Sequence, residues 1–497
     1  MSARWRAAIL PAAILLAFGL TGGGVLWGQT AAADPDLEQF FLLTAVDDDV
    51  ADEAIDTIGD GWRDGYAGMV WDMLRFMQPP SEQLPPPPPA AGNATDPGGG
   101  LDLPPRQPEQ PSVKVFRRLV RLLEGQTGQR FGNDILRWQQ WIWQQPYAPH
   151  PAYGAFKARW YSQIDPRFAQ FFPDGVESRI RLDEVDWGGV PPNGIPPLRY
   201  PDHVSADEAD YLDDDDIVFG VEVDGDARAY PKRILAWHEM AIDGVGGVDL
   251  TIVYCTLCGT VIPYESVVDG RDVRFGTSGL LYRSNKLMFD EATKSLWSTL
   301  EGIPVVGSLV GSGRELTRRS MVTTTWGGWR RRHPDTVVLS VDTGHDRDYS
   351  EGAAYREYFA NDRLMFQVPS HDDRFDNKAE MVVMLLEDPA GGDRHPVALS
   401  TEFLADRPIF QAEVAGHAFV VVTSESGASR VYESAGRQFD RQLDERRVSD
   451  DQGRIWLVTE DELVAEDDGT TRLARLSAHR AFWFGWYAQF PQTAVFN

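Results

Sequence analysis

Cys255 and Cys258 are the only two cysteines of this 497-residue chain, and they stand three apart in Tyr254-Cys255-Thr256-Leu257-Cys258-Gly259. Two thiols at that spacing can close on one metal ion, cycle between dithiol and disulfide, or staple a tight loop. Upstream, Trp237-His238-Glu239-Met240 offers an imidazole. Cys255, Cys258 and His238 together would form a soft-ligand set that suits copper or zinc rather than magnesium or calcium, with Glu239 or Met240 as a further ligand. A structural zinc site takes four ligands, and the chain has no second CxxC. An incomplete set is what an open, catalytic or transport site presents, and equally what a chain with no metal site presents.

The residues after the second thiol argue against a thioredoxin-type couple, in which the CxxC opens a helix whose N-terminus lowers the thiol pKa. Here Gly259-Thr260-Val261-Ile262-Pro263-Tyr264 reads as a strand, and Pro263 would break a helix. Further on, Phe275 to Asn285 carries small and hydroxyl residues that suit a pocket loop or, equally, a turn and a strand. Its Gly276-Thr277-Ser278-Gly279 is one residue short of a nucleophile elbow and matches no phosphate loop. The pocket-lining candidates are Glu239, Arg228, Tyr254, Ser278, Tyr282, Arg283, Asn285 and Trp297. Arg228 could hold an anion, but a surface salt bridge is the more expected role. His345, in a charged loop, is a secondary metal candidate. His333 reads as a packing position, and His150, His203, His371, His395, His417 and His479 as surface or structural residues.

The elements that must position these side chains follow from patterning. Apolar residues recur at helical spacing over 37–78 and again over 112–175. Between them, 79–111 is a Pro/Gly-rich linker. From 180 onward, short apolar runs alternate with turn residues. Asp224-Gly225 and Asp269-Gly270 are hairpin signals. Arg4 and Arg6, an apolar run and Ala31-Ala32-Ala33 make residues 1–33 a secretory signal peptide, so the chain is expected to be exported: periplasmic, cell-surface or extracellular. A membrane would be a partner only if that segment were kept as an anchor. The net charge of −28 argues against nucleic acid as a partner, leaving a small molecule or a protein.

Residues 180–345 and 366–497 repeat one another. Trp326-x-Gly328-Trp329-x-x-x-His333-Pro334-x-Thr336 matches Trp483-x-Gly485-Trp486-x-x-x-Phe490-Pro491-x-Thr493. Ile252–Ser266 matches Val420–Ser434 without gaps, and Asp290–Trp297 pairs with Asp450–Trp456. This predicts two similar β-rich units about a pseudo-twofold. Cys255 falls on Thr423 and Cys258 on Ser426, whereas Gly259 falls on Gly427. The turn therefore persists without its thiols, which weakens a purely structural reading of the CxxC and favours a functional one, with the second unit a degenerate support or a pocket wall.

The fold class expected is α+β: a mainly β, duplicated C-terminal domain of two similar units, preceded by a small α-helical module. Several stretches together resemble a known family, the bacterial and archaeal proteins grouped as domain of unknown function DUF3179. They are AYPKRILAWHEM (229–240), DGVGG (243–247), YCTLCGTVIPYE (254–265), FGTSGLLYRSN (275–285), DEATKSLWSTLEGIPVVG (290–307) and WRRRHPDTVVLSVDTG (329–344). TGQRFGNDILRWQQWIW (127–143), IDPRF (164–168) and GGVPPNGIPPL (188–198) resemble the region often found ahead of that domain. The resemblance supplies no catalytic residue, because the family's activity is not established. Three functions follow from the residues themselves: a Cys/Cys/His metal protein, a thiol–disulfide redox protein, or a non-catalytic binding scaffold.

Overall fold

The computed structural model describes residues 35–77, 111–388 and 393–497. The expected signal peptide and all but the end of the expected linker lie outside them. The chain divides into two compact units, one running to Pro191 with Val306–Val310, the other comprising Pro192–Val305 and Gly311–Asn497. Among the described residues, no helix is long and apolar enough to cross a membrane.

The first unit is helical, with helices Pro35–Leu42, Asp48–Asp60, Tyr66–Phe76, Pro111–Thr127, Ile135–Gln144 and Tyr153–Tyr161. Asp47 and Asp134 cap two of these, their carboxylates accepting the N–H groups of Asp49 and Arg137. Apolar side chains at helical spacing, among them Met69, Trp71, Leu119, Trp138 and Phe156, fill the core. Within that core Lys157 Nζ lies 2.9 Å from Asp72 Oδ2, and Tyr153 donates its hydroxyl to the same oxygen at 2.7 Å. A buried pair of this kind persists because neighbouring dipoles complete it. Here Val185 O also accepts from Lys157, at 2.8 Å.

The second unit is mixed α/β and rich in sheet. Val322–Thr325, Ile217–Val223, Asp226–Pro231 and Val337–Leu339 adjoin in that order, the last pair parallel and the others antiparallel. Ala478–Phe482, Glu380–Glu387, Arg394–Ser400 and Ala494–Phe496 adjoin with the same order and directions. Asp224-Gly225 closes the first hairpin with φ of 49° and 84°, the left-handed pair that a two-residue turn needs. From each central hairpin the chain enters a short helix, Lys232–His238 in one case and Thr401–Ala405 in the other. It then enters a second antiparallel set. In the first of these, Met240–Val245, Val248–Cys255 and Thr260–Glu265 are neighbours, and the Cys255–Cys258 turn joins the last two.

Candidate functional site

Strand pairing positions the thiols. Cys255 ends one strand opposite Thr260, and Pro263 sits inside the return strand opposite Ile252. The second thiol is thus followed by a strand, as its sequence predicts. Gly259, at φ 62°, makes the turn, and a Cβ there would lie 2.9 Å from the Phe482 ring. The two sulfurs are 2.8 Å apart, and Cys258 Sγ also lies 2.9 Å from Ser284 O. Both cysteines are free and almost wholly buried, at 3% and 1% exposure.

The two thiols differ electrostatically. Burial and Glu239 oppose ionisation of Cys255. The Cys258 thiol and the backbone N–H groups of Lys286 and Cys258 point at its sulfur and bring it below the ordinary thiol value. Cys258 is pushed well above that value by burial, by its hydrogen bond with Cys255 and by the Cys255 charge. Cys255 is therefore the more readily ionised of the two thiols.

A buried ion pair adjoins the thiols. Glu239 follows the helix Lys232–His238 in a left-handed conformation, φ 54°, a position where glycine is the usual choice. Its carboxylate lies 3.3 Å from Lys286 Nζ, and its own carbonyl accepts from that ammonium at 2.9 Å. Both side chains are buried. Burial lowers the Lys286 pKa, against the opposing pull of Glu239 and Cys255. Burial and the Glu239 and Cys255 charges raise Tyr355, whose hydroxyl also bonds Glu239.

Apolar side chains close over the thiols. Leu257, Leu281 and Tyr358 pack with the two cysteines, and Tyr355, Phe359, Met365 and Phe366 flank them. Tyr358 donates its hydroxyl to Leu257 O at 2.7 Å. Lys378 holds this segment by donating to Tyr358 O and to Asn361 O, and its Nζ stands 3.5 Å from the Tyr358 ring centre.

Gly485 lies against the pair from another side: a Cβ built there would be 3.2 Å from Cys258 Cβ and 3.6 Å from its sulfur. Gly328 stands in the same way against Ser426, at 2.3 Å from its Cβ. Trp329 donates to Thr336 Oγ1 at 2.9 Å and Trp486 to Thr493 Oγ1 at 3.0 Å. Trp297 and Trp456 donate to Asp290 and Asp450, each at 3.1 Å.

The predicted site residues part company here. Glu239, Tyr254 and Asn285 are at the thiols. Asn285 donates to Gly485 O at 2.9 Å and leaves its own Oδ1 without a partner. His238 is not at the thiols, which corrects the expected Cys255/Cys258/His238 metal triad. Its Nδ1 lies 2.9 Å from Pro196 O and its Nε2 2.6 Å from Tyr349 Oη, so both nitrogens are engaged. The left-handed turn at Glu239 sends the two adjacent side chains different ways. The His345 ring lies tilted against that of His238, with ring centres 5.1 Å apart. Among the described residues no group of three or more His, Cys, Asp or Glu could hold a metal, and two sulfurs alone do not fit the copper or zinc set expected. Arg228 is taken by Asp226 and Asp243, each at 2.9 Å. Ser278 donates to Leu287 O at 2.5 Å, Arg283 donates to Ala488 O at 3.0 Å, Gln489 donates to Tyr282 O at 3.2 Å, and Trp297 is core. His333 is more than packing: it lies 3.3 Å from Glu460 and 3.4 Å from Glu222. The sequence reading missed Lys286, Tyr355 and Tyr358. Lys286 had one available signal, a lysine inside an otherwise apolar strand run, Lys286-Leu287-Met288-Phe289.

No curated protein and no solved structure matches the chain. Residues 192–493, which contain the thiols, the ion pair, the covering segment and Gly485, match the family described as Protein of unknown function (DUF3179), and the chain belongs to that family.

Proposed function

We propose that Cys255 and Cys258 are the dithiol/disulfide couple of an exported thiol-exchange protein. The observation that carries this is the placing of two free, buried thiols with their sulfurs 2.8 Å apart beside a buried lysine–glutamate pair. In the exchange, the Cys255 thiolate attacks one sulfur of a partner disulfide and the partner's other sulfur leaves as thiolate. Cys258 then gives up its proton and attacks Cys255 Sγ, releasing the second partner thiolate. Two electrons pass to the partner and two protons leave the dithiol. We assign Glu239, whose charge acts on both sulfurs, as the base for the second proton, and Lys286 compensates the thiolate charge. The left-handed glutamate is consistent with a carboxylate placed for function where glycine would be easier. Because the sulfurs are buried, a partner reaches them only after the segment carrying Tyr355, Tyr358 and Phe359 moves.

The domain itself is, on this proposal, a tandem duplication whose second copy lost the thiols. The repeated sheet order and the matched Gly485–Cys258 and Gly328–Ser426 contacts support that history. Equilibration in glutathione buffers of graded potential, followed by alkylation and mass counting, tests the function. Both thiols should disappear together and return on reduction. Thiols that stay unmodified across the whole range in folded protein, or that hold a metal after purification, would reject it.

A further inference from the structure

A two-residue turn, Arg283-Ser284, joins the strands Phe275–Tyr282 and Asn285–Asp290 across the pairing of Tyr282 with Asn285. Such a turn needs two left-handed residues and usually takes Asn-Gly. Here arginine and serine stand at φ 49° and 64°. Side chains are strained in that region and persist there only when the surroundings hold them. Asn285 Nδ2 does so by donating to Arg283 O at 3.1 Å and to Gly485 O at 2.9 Å. Arg283 donates to Ala488 O at 3.0 Å and Gln489 to Tyr282 O at 3.2 Å, which ties the turn to the helix Trp483–Gln489.

The turn places a carbonyl oxygen on the second thiol. Ser284 O lies 2.9 Å from Cys258 Sγ, and among the described residues no other donor reaches it. Cys255 Sγ is 2.8 Å from Cys258 Sγ. In the dithiol the protons therefore run one way, from Cys255 to the Cys258 sulfur and from Cys258 to the carbonyl. A second oxygen, Asn285 Oδ1, lies close by. Both amide protons of Asn285 go to carbonyls, which fixes the orientation of the amide and leaves Oδ1 buried without a partner. Oδ1 and Cys258 Sγ each stand 3.6 Å from the point that a Gly485 Cβ would occupy.

A disulfide has no S–H to give. Its formation leaves Ser284 O facing a sulfur lone pair, near an amide oxygen that already lacks a donor. Buried acceptors without donors are unfavourable, so the turn favours the dithiol.

We infer that Asn285 is a positioning residue for Cys258: by fixing the strained turn it keeps Ser284 O on the Cys258 thiol proton and makes the couple a stronger oxidant. The effect on the couple rests on the exchange function proposed above; the hold on the proton does not.

Two measurements on the full chain test this. In Cys255→Ala protein, Cys258 carries the one S–H group, and its infrared stretching band should move to higher frequency when Asn285→Ala is added. A band that stays in place in folded protein would overturn the assignment. With both thiols present, equilibration in glutathione buffers should show Asn285→Ala shifting the balance about tenfold toward disulfide, a fall in potential of about 30 mV. Arg283→Met, which loosens the turn from its other side, should shift it in the same direction. A potential unchanged or raised in both folded variants would also overturn the assignment. Thiols that never oxidise would reject the exchange function, and the infrared band would still decide the hold on Cys258.

Discussion

Gly485 and Cys258 touch so closely that a single added methyl group at Gly485 would sit 3.2 Å from Cys258 Cβ. The thiol turn is therefore held by a residue more than two hundred positions away in sequence, and the contact has no room to spare. Gly485→Ala should displace Cys258 and slow exchange while lowering stability by about 1–3 kcal/mol. Gly328→Ala meets Ser426 at 2.3 Å, so its stability loss should be the larger of the two. Ser426→Gly, which removes the clashing Cβ, should restore much of it. Urea denaturation of the two single variants and the Gly328→Ala/Ser426→Gly double variant measures this.

The buried ion pair should bias thiol ionisation. Lys286→Met leaves Glu239 charged and uncompensated and should cost about 3–5 kcal/mol. It should also raise the Cys255 pKa. Glu239→Gln removes a negative charge that opposes the thiolate, so the Cys255 pKa should fall while the second, proton-removing step slows. Thiolate absorbance at 240 nm against pH, with denaturation curves, separates the two effects.

The covering segment should govern access. Tyr358→Phe deletes the hydrogen bond to Leu257 O, worth about 1 kcal/mol, and should speed modification of native thiols severalfold. An unchanged rate would mean that the covering segment does not limit access. Lys378, lowered by burial to about 8, should loosen its hold on Tyr358 O as pH rises through that value. Reactivity should then rise beyond what thiol ionisation alone gives, and Lys378→Met should remove the additional rise.

Acid should weaken the β-rich unit through two buried histidines. Burial lowers His238 to about 4 and His479 to about 3. A depressed folded-state value favours the neutral form. The stabilisation is therefore complete above the unfolded value near 6.5 and is lost as pH falls toward 4 and 3. His238→Gln should flatten the upper part of that profile. Thermal melts between pH 7 and pH 4 report it.

Local chemistry made part of the fold legible. Asp224-Gly225 reads as a hairpin because few residue pairs tolerate two positive φ values. Pro263 after the thiols reads as a strand because a helix cannot hold it. Trp297 was read as pocket-lining, but it is buried and donates to Asp290, so the recurrence of its motif at Trp456 reflects packing. Lys286 and Glu239 were illegible as a pair: they meet only when two separate sheets pack. His238 was misassigned because one left-handed residue turns it away from its neighbour Glu239, and sequence spacing does not register that turn. Tyr355 and Tyr358 sit in a segment without periodicity, so only the fold shows what they cover.

The most direct test of the thiol couple is a trapping experiment. Cys258→Ser protein is mixed with a disulfide such as oxidised glutathione, and the adduct is mapped by mass spectrometry. A stable mixed disulfide is expected at Cys255, and none in the reciprocal Cys255→Ser variant at the same pH. No adduct at Cys255 in folded protein, or equal labelling of the two variants, would contradict it.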